Sequence, residues 1–128
     1  MGEPGSDEFN RTVAGRMDVL VSDLTLTEVV SALTRRLREG HLTRDIVRRV
    51  QNAMLERLDG GDYARVELTP DVHRRAEHLL LTLAAFPLRA ADALHLALAT
   101  SSRALSIASF DGRLRAAARA ARLSTYPP

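Results

Sequence analysis

Three acidic residues stand where a carboxylate could do chemistry: Glu28, Asp92 and Asp111. Glu28 follows the apolar run Val19-Leu20-Val21 and reads as opening a helix. Asp92 reads as opening an apolar helix just after Phe86-Pro87-Leu88. Asp111 comes one residue beyond the strand-like Ser106-Ile107-Ala108-Ser109. In a parallel α/β sheet, strand C-termini and the next helix N-termini gather on one edge, where ligands bind. Carboxylates converging on such an edge repel one another and tend to take up protons or a cation. Hard oxygen donors suit Mg²⁺ or Mn²⁺. An ion of this kind can activate water and steady a phosphoryl group during hydrolysis.

Each carboxylate also has a plainer use. Thr25-Leu26-Thr27-Glu28 fits the capping box, in which the glutamate accepts a hydrogen bond from a free backbone N–H. Asp92 sits where a helix dipole favours negative charge, and Asp111 is a good N-cap. Position alone leaves both uses open.

The elements that must hold these residues can be read from pattern. Residues 1–8 carry Gly2, Pro4, Gly5 and Ser6, which break any periodicity. A short helix is expected within 8–17 and a buried strand over 19–21. A helix follows through Val29, Val30, Leu33 and Leu37 and ends at Glu39-Gly40. Thr43 is expected to cap a helix running to Leu58, and Asp59-Gly60-Gly61-Asp62 to turn the chain. A strand over 64–68 then leads to a helix opened by Thr69-Pro70 and running to about Leu83. A strongly apolar helix over 90–100, a strand over 104–109, an Ala/Arg-rich helix capped by Asp111 and a last strand over 123–126 complete the order. Strands alternating with helices predict an α/β fold with a mainly parallel sheet.

Composition narrows the chemistry further. A chain of 128 residues with 45% hydrophobic content suits one domain with one core. The absence of cysteine excludes disulfides and thiolate metal sites. No apolar run approaches the roughly 20 residues that span a bilayer. The polar, acidic start is not that of a signal peptide, so a soluble, cytoplasmic protein is expected. All 18 basic residues are arginine. A GC-rich coding bias is the preferred account of this, although guanidinium forks also match phosphate oxygens. With aromatics at only 4% and no tryptophan, a stacking platform for single-stranded RNA is not expected. Phosphate contacts would fall to arginines, with Arg35, Arg36 and Arg89 the candidates. His95 reads as a packed helix residue, His73 and His78 as surface residues, and His41 as part of a loop.

Three segments carry a family resemblance. Val19-Leu20-Val21-Ser22-Asp23-Leu24-Thr25-Leu26-Thr27-Glu28-Val29 resembles the second strand and acidic helix start of PIN domains. Leu88-Arg89-Ala90-Ala91-Asp92-Ala93-Leu94-His95-Leu96-Ala97 resembles the family's central motif, its most specific part. Ala108-Ser109-Phe110-Asp111-Gly112-Arg113-Leu114 resembles its last motif, with a small hydroxyl residue two before the acid. The chain thus looks like a PIN-domain protein of the VapC toxin kind over essentially its whole length. The resemblance implies a single three-layer PIN-like α/β domain over residues 1–128, with a mainly parallel central sheet and helices on both faces. It implies a Mg²⁺-dependent (or Mn²⁺-dependent) endoribonuclease toxin of a type II toxin–antitoxin system. Glu28, Asp92 and Asp111 would hold the metal, and Ser109 would support the site. RNA would be the substrate, and the partners would be a VapB-like antitoxin and a second copy in a homodimer.

One departure shapes the expectation. The family opens with a strand ending in aspartate, whereas Met1-Gly2-Glu3-Pro4-Gly5-Ser6-Asp7-Glu8 resembles the loop after it. The first central strand and its aspartate are expected to be missing, and neither Asp7 nor Asp23 is a suitable substitute. A weak or inactive enzyme is therefore expected. The alternative is a non-catalytic, truncated PIN module that binds an antitoxin or self-associates. A more distant one is a helical interaction domain whose acids only cap helices.

Overall fold

The computed structural model describes residues 19–128 apart from 62 and 110. The helix expected within 8–17, Asp7, and the Asp62 end of the expected turn lie outside the described residues. Nine elements follow in order: β1 (Leu20–Ser22), α1 (Asp23–Arg38), α2 (Arg44–Asp59), β2 (Ala64–Val66), α3 (Pro70–Thr82), α4 (Ala90–Ser101), β3 (Ser106–Ala108), α5 (Gly112–Ala120) and β4 (Ser124–Tyr126). The result is an α/β fold with short parallel strands, as the alternation of patterns predicts. The described residues fall into two compact units, 19–67 and 68–128.

In the unit 19–67, β1 and β2 pair in parallel, with Leu20 opposite Ala64, Val21 opposite Arg65 and Ser22 opposite Val66. A parallel pair needs a long crossover, and here α1 and α2 supply it. The end of α1 is set locally. Gly40 takes φ +80°, His41 N–H donates to Arg36 C=O at 2.9 Å and Gly40 N–H donates to Leu37 C=O at 3.1 Å. These are the two bonds of a Schellman cap, which needs a residue at ease in the left-handed region. Arg35, Arg36 and Arg38 in the last turn complement the helix dipole. Helix α2 starts at Thr43, whose hydroxyl accepts from Ile46 N–H at 3.3 Å. Arg65 bridges Asp23 at 3.1 Å and Asp59 at 3.5 Å, exposed pairs worth at most about 1 kcal/mol each.

In the unit 68–128, α3 packs on α4, and β3 pairs in parallel with β4 across the α5 crossover. Ser106 lies opposite Ser124, Ile107 opposite Thr125 and Ala108 opposite Tyr126. Helix α3 begins as its Thr-Pro signature predicts: Thr69 accepts from Val72 N–H at 3.3 Å, and Pro70 occupies the first turn, where its missing N–H costs nothing. Helix α4 is apolar nearly all round, which marks a helix covered by neighbours. It buries Ala93, Leu96, Ala97 and Leu98. Leu96 is 0% exposed and joins Leu114, Ala117, Ala118 and Leu123 in the core, flanked by Leu79, Phe86 and Leu88. The small residues of α5 let that helix approach closely. This core fixes the two helix starts that carry Asp92 and Asp111.

Strand spans are shorter than pattern alone predicts. The stretches expected at 64–68 and 104–109 reduce to Ala64–Val66 and Ser106–Ala108. Only three residues of each have a partner residue across the pair, and Ser109 is already drawn into the turn that follows.

Candidate active site

The best-defined acidic position is the turn between β3 and α5. Asp111 is the N-cap of α5, with extended backbone, and its Oδ1 accepts from Arg113 N–H at 2.9 Å. The acid two residues after a small hydroxyl is explained directly: Ser109 Oγ accepts from Asp111 N–H at 3.0 Å. Ser109 is itself tied to β4, its N–H donating to Tyr126 C=O at 3.0 Å. Behind the turn, Arg115 Nη1 donates to Ser109 C=O at 3.0 Å. The carboxylate of Asp111 remains exposed, with the Arg113 guanidinium 3.8 Å away.

Asp92 is the third residue of α4. Its Oδ2 accepts from the backbone N–H of Arg89, the N-cap, at 3.0 Å. This is half of a capping box. An arginine side chain carries no acceptor, so the reciprocal half cannot form. Capping does not exhaust either aspartate, because an ionised carboxylate has about four acceptor sites and each of these bonds uses one oxygen. Capping and cation binding are therefore compatible at both positions.

Glu28 corrects the expectation in one respect. Helix α1 begins at Asp23 with Ser22 as N-cap, so Glu28 is its sixth residue and lies in the second turn. The Thr25-x-x-Glu28 capping box does not form. Thr27 instead bonds back to Asp23 C=O at 3.1 Å, within the helix. Glu28 is exposed, and a purely capping account of it is removed.

Ser22 was not singled out by its sequence. It is the last residue of β1, 5% exposed, and its Oγ has no hydrogen-bond partner. An unsatisfied buried hydroxyl costs about 1–3 kcal/mol. It stands at the C-terminal end of a parallel strand, the kind of edge where α/β proteins bind ligands. The only available signal was a small hydroxyl residue at a strand end. Nothing in the sequence separates Arg115 from the other arginines of its Ala/Arg-rich helix.

The arginine candidates are exposed: Arg35 and Arg36 in the last turn of α1, and Arg89 at the start of α4. His73 and His78 are exposed on α3, and His41 lies 3.9 Å from Glu39 after α1. A groove of about 470 Å³ runs between α1 and α2, lined by Thr34, Leu37, Arg38, Arg44, Val47 and Arg48. It does not include Glu28.

A metal requires donors of suitable type. The candidate acids offer hard carboxylate oxygens, which fit Mg²⁺ or Mn²⁺ and not a thiolate-seeking metal. Among the described residues, no group of three or more His, Cys, Asp or Glu side chains is gathered to hold an ion. Among the same residues, no helix is long and apolar enough to cross a membrane. A family model for the PIN domain matches residues 1–120. No curated protein matches the chain.

Proposed function

The chain belongs to the PIN-domain family, and on that footing we propose that it is a Mg²⁺-dependent endoribonuclease of the VapC toxin kind, restrained by a VapB-like antitoxin. PIN domains are generally nucleases that hydrolyse RNA or DNA and use divalent metal ions, and many are paired with antitoxins. The observation that carries the reading is the Ser109–Asp111 turn. An exposed aspartate there is held at a strand end, its N–H donating to Ser109 Oγ at 3.0 Å and its carboxylate accepting from Arg113 N–H at 2.9 Å, in the motif where the family keeps an acid.

In this proposal Glu28, Asp92 and Asp111 hold the ion, and Ser109 orients Asp111 through its hydroxyl. When bound, Mg²⁺ supplies Lewis acidity toward a phosphate oxygen and a more acidic water. The residues of the chain do the rest. The backbone bonds at Arg89 and Arg113 fix the directions of two carboxylates before any ligand arrives, which matters because catalysis is sensitive to misplacement of roughly 1 Å. Arg35, Arg36 and Arg89 take phosphates on the RNA. A cytoplasmic setting and a homodimer belong to the same proposal.

A second reading is a non-catalytic PIN module that binds an antitoxin or a second copy. It is favoured by the strand pairs. Among the described residues, each of β1 and β3 bonds to one partner strand, and strand edges are templates for pairing with another chain. One experiment separates the readings. The 128-residue protein and Asp92→Asn are incubated with RNA in Mg²⁺ and in EDTA. Cleavage by the parent protein that is lost in EDTA and in the variant supports the nuclease. Equal, negligible cleavage in all arms, with tight antitoxin binding, supports the module.

A further inference from the structure

Arginines are frequent on α5, yet they are not equivalent. Arg113 and Arg119 are exposed, whereas Arg115 is half-buried. Its backbone N–H donates to Asp111 C=O at 2.9 Å, and its side-chain Nη1 donates to Ser109 C=O at 3.0 Å. One residue thus grips both ends of the three-residue turn that presents Asp111. Every polar group of Ser109 is engaged in the same frame: N–H to Tyr126, C=O from Arg115, and Oγ from Asp111.

The Arg115 contact differs from an ordinary surface ion pair. It is a charge-assisted bond to a neutral carbonyl, stronger than a neutral bond. It depends on the length and planar fork of arginine, which lysine does not reproduce. It also brings a permanent positive charge to the turn that carries Asp111.

We propose that Arg115 is a positioning residue for Asp111: it clamps the Ser109 carbonyl so that the Asp111 carboxylate keeps one direction at the end of β3. The consequence for metal binding rests on the reading of Asp111 as a metal-holding acid. The clamp itself does not.

The test compares Arg115→Met, Arg115→Lys and Arg119→Met in the full chain. Arg119 is the control because it lies on the same helix and bonds the side chain of Thr125 at 3.1 Å, away from the turn. Amide hydrogen exchange by NMR is measured first, without metal. Arg115→Met should speed exchange at the Asp111 and Arg113 amides by about tenfold, as a local opening of the turn. Arg115→Lys should fall between it and the parent, and Arg119→Met should match the parent at both amides. Mg²⁺ is then titrated while the Gly112 amide is followed. Arg115→Met should need about tenfold more Mg²⁺, as expected when a group orienting a ligand is lost. Unchanged exchange at Asp111 and Arg113 in Arg115→Met overturns the proposal. So does a uniform rise across β3 and α5, which would show a general packing role. If Gly112 in the parent ignores Mg²⁺, the metal role of Asp111 falls, and the exchange comparison still decides whether Arg115 is the clamp.

Discussion

Asp111 can be made to separate its two roles, because asparagine caps a helix as well as aspartate does but carries no charge. The cap bond is Oδ1 to Arg113 N–H at 2.9 Å. Asp111→Ala removes this bond, at about 1 kcal/mol, and removes a negative charge from the start of α5, at about 0.3–1 kcal/mol. The sum of roughly 1–2 kcal/mol corresponds to a fall in Tm of about 3–8 °C for a domain of this size. Asp111→Asn keeps the cap and loses only the charge, so its Tm should fall by about 1–4 °C. Activity should follow a different order. Loss of a residue that merely supports a metal ligand costs 10–100-fold in affinity or activity, so loss of a ligand itself should cost at least about 100-fold. Both variants should therefore be equally dead toward RNA while differing in stability. The assay pairs thermal unfolding by circular dichroism with initial rates of RNA cleavage in saturating Mg²⁺. If Asp111→Asn cleaves at even half the rate of the parent protein, the carboxylate is a cap and nothing more.

Three further outcomes are expected. Glu28→Gln should lower cleavage by at least about 100-fold, and a variant as active as the parent would remove Glu28 from the site. Leu96→Ala should cost about 2–5 kcal/mol, since Leu96 is 0% exposed at the centre of the 68–128 core; chemical denaturation checks this, and a loss below about 1 kcal/mol would mean that the core lies elsewhere. In sedimentation the protein should run as a dimer at tens of micromolar and shift again on adding the product of a neighbouring antitoxin gene; a monomer that ignores that product would end the partner proposal.

What was legible in the sequence is what is decided within a few residues. Thr43, Thr69 and Asp111 cap their helices by bonds spanning two or three positions. Gly40 closes α1 with bonds reaching back three and five residues. Apolar spacing marked α4 as the covered helix, because its composition is apolar on nearly every side. The PIN-like motifs are equally local, and the family match over residues 1–120 agrees with them.

The tertiary structure decided where the strands stop and what the side chains at their ends touch. Thr25-Leu26-Thr27-Glu28 has the pattern of a helix start, yet α1 begins at Asp23, directly after Ser22 completes its pairing with Val66. That boundary depends on a strand more than 40 positions away, and no local pattern contains it. The resemblance gave Ser109 a supporting role but not its contacts. Its placement against Asp111, Arg115 and Tyr126 depends on β4 pairing beside β3. Sequence determined which residues could cap, bend or bury themselves, because those preferences belong to the residues and their near neighbours. Only the fold decided how the Ser109 backbone behind Asp111 is anchored, because its hydrogen bond to the Tyr126 carbonyl exists only after the chain has brought the two to 3.0 Å.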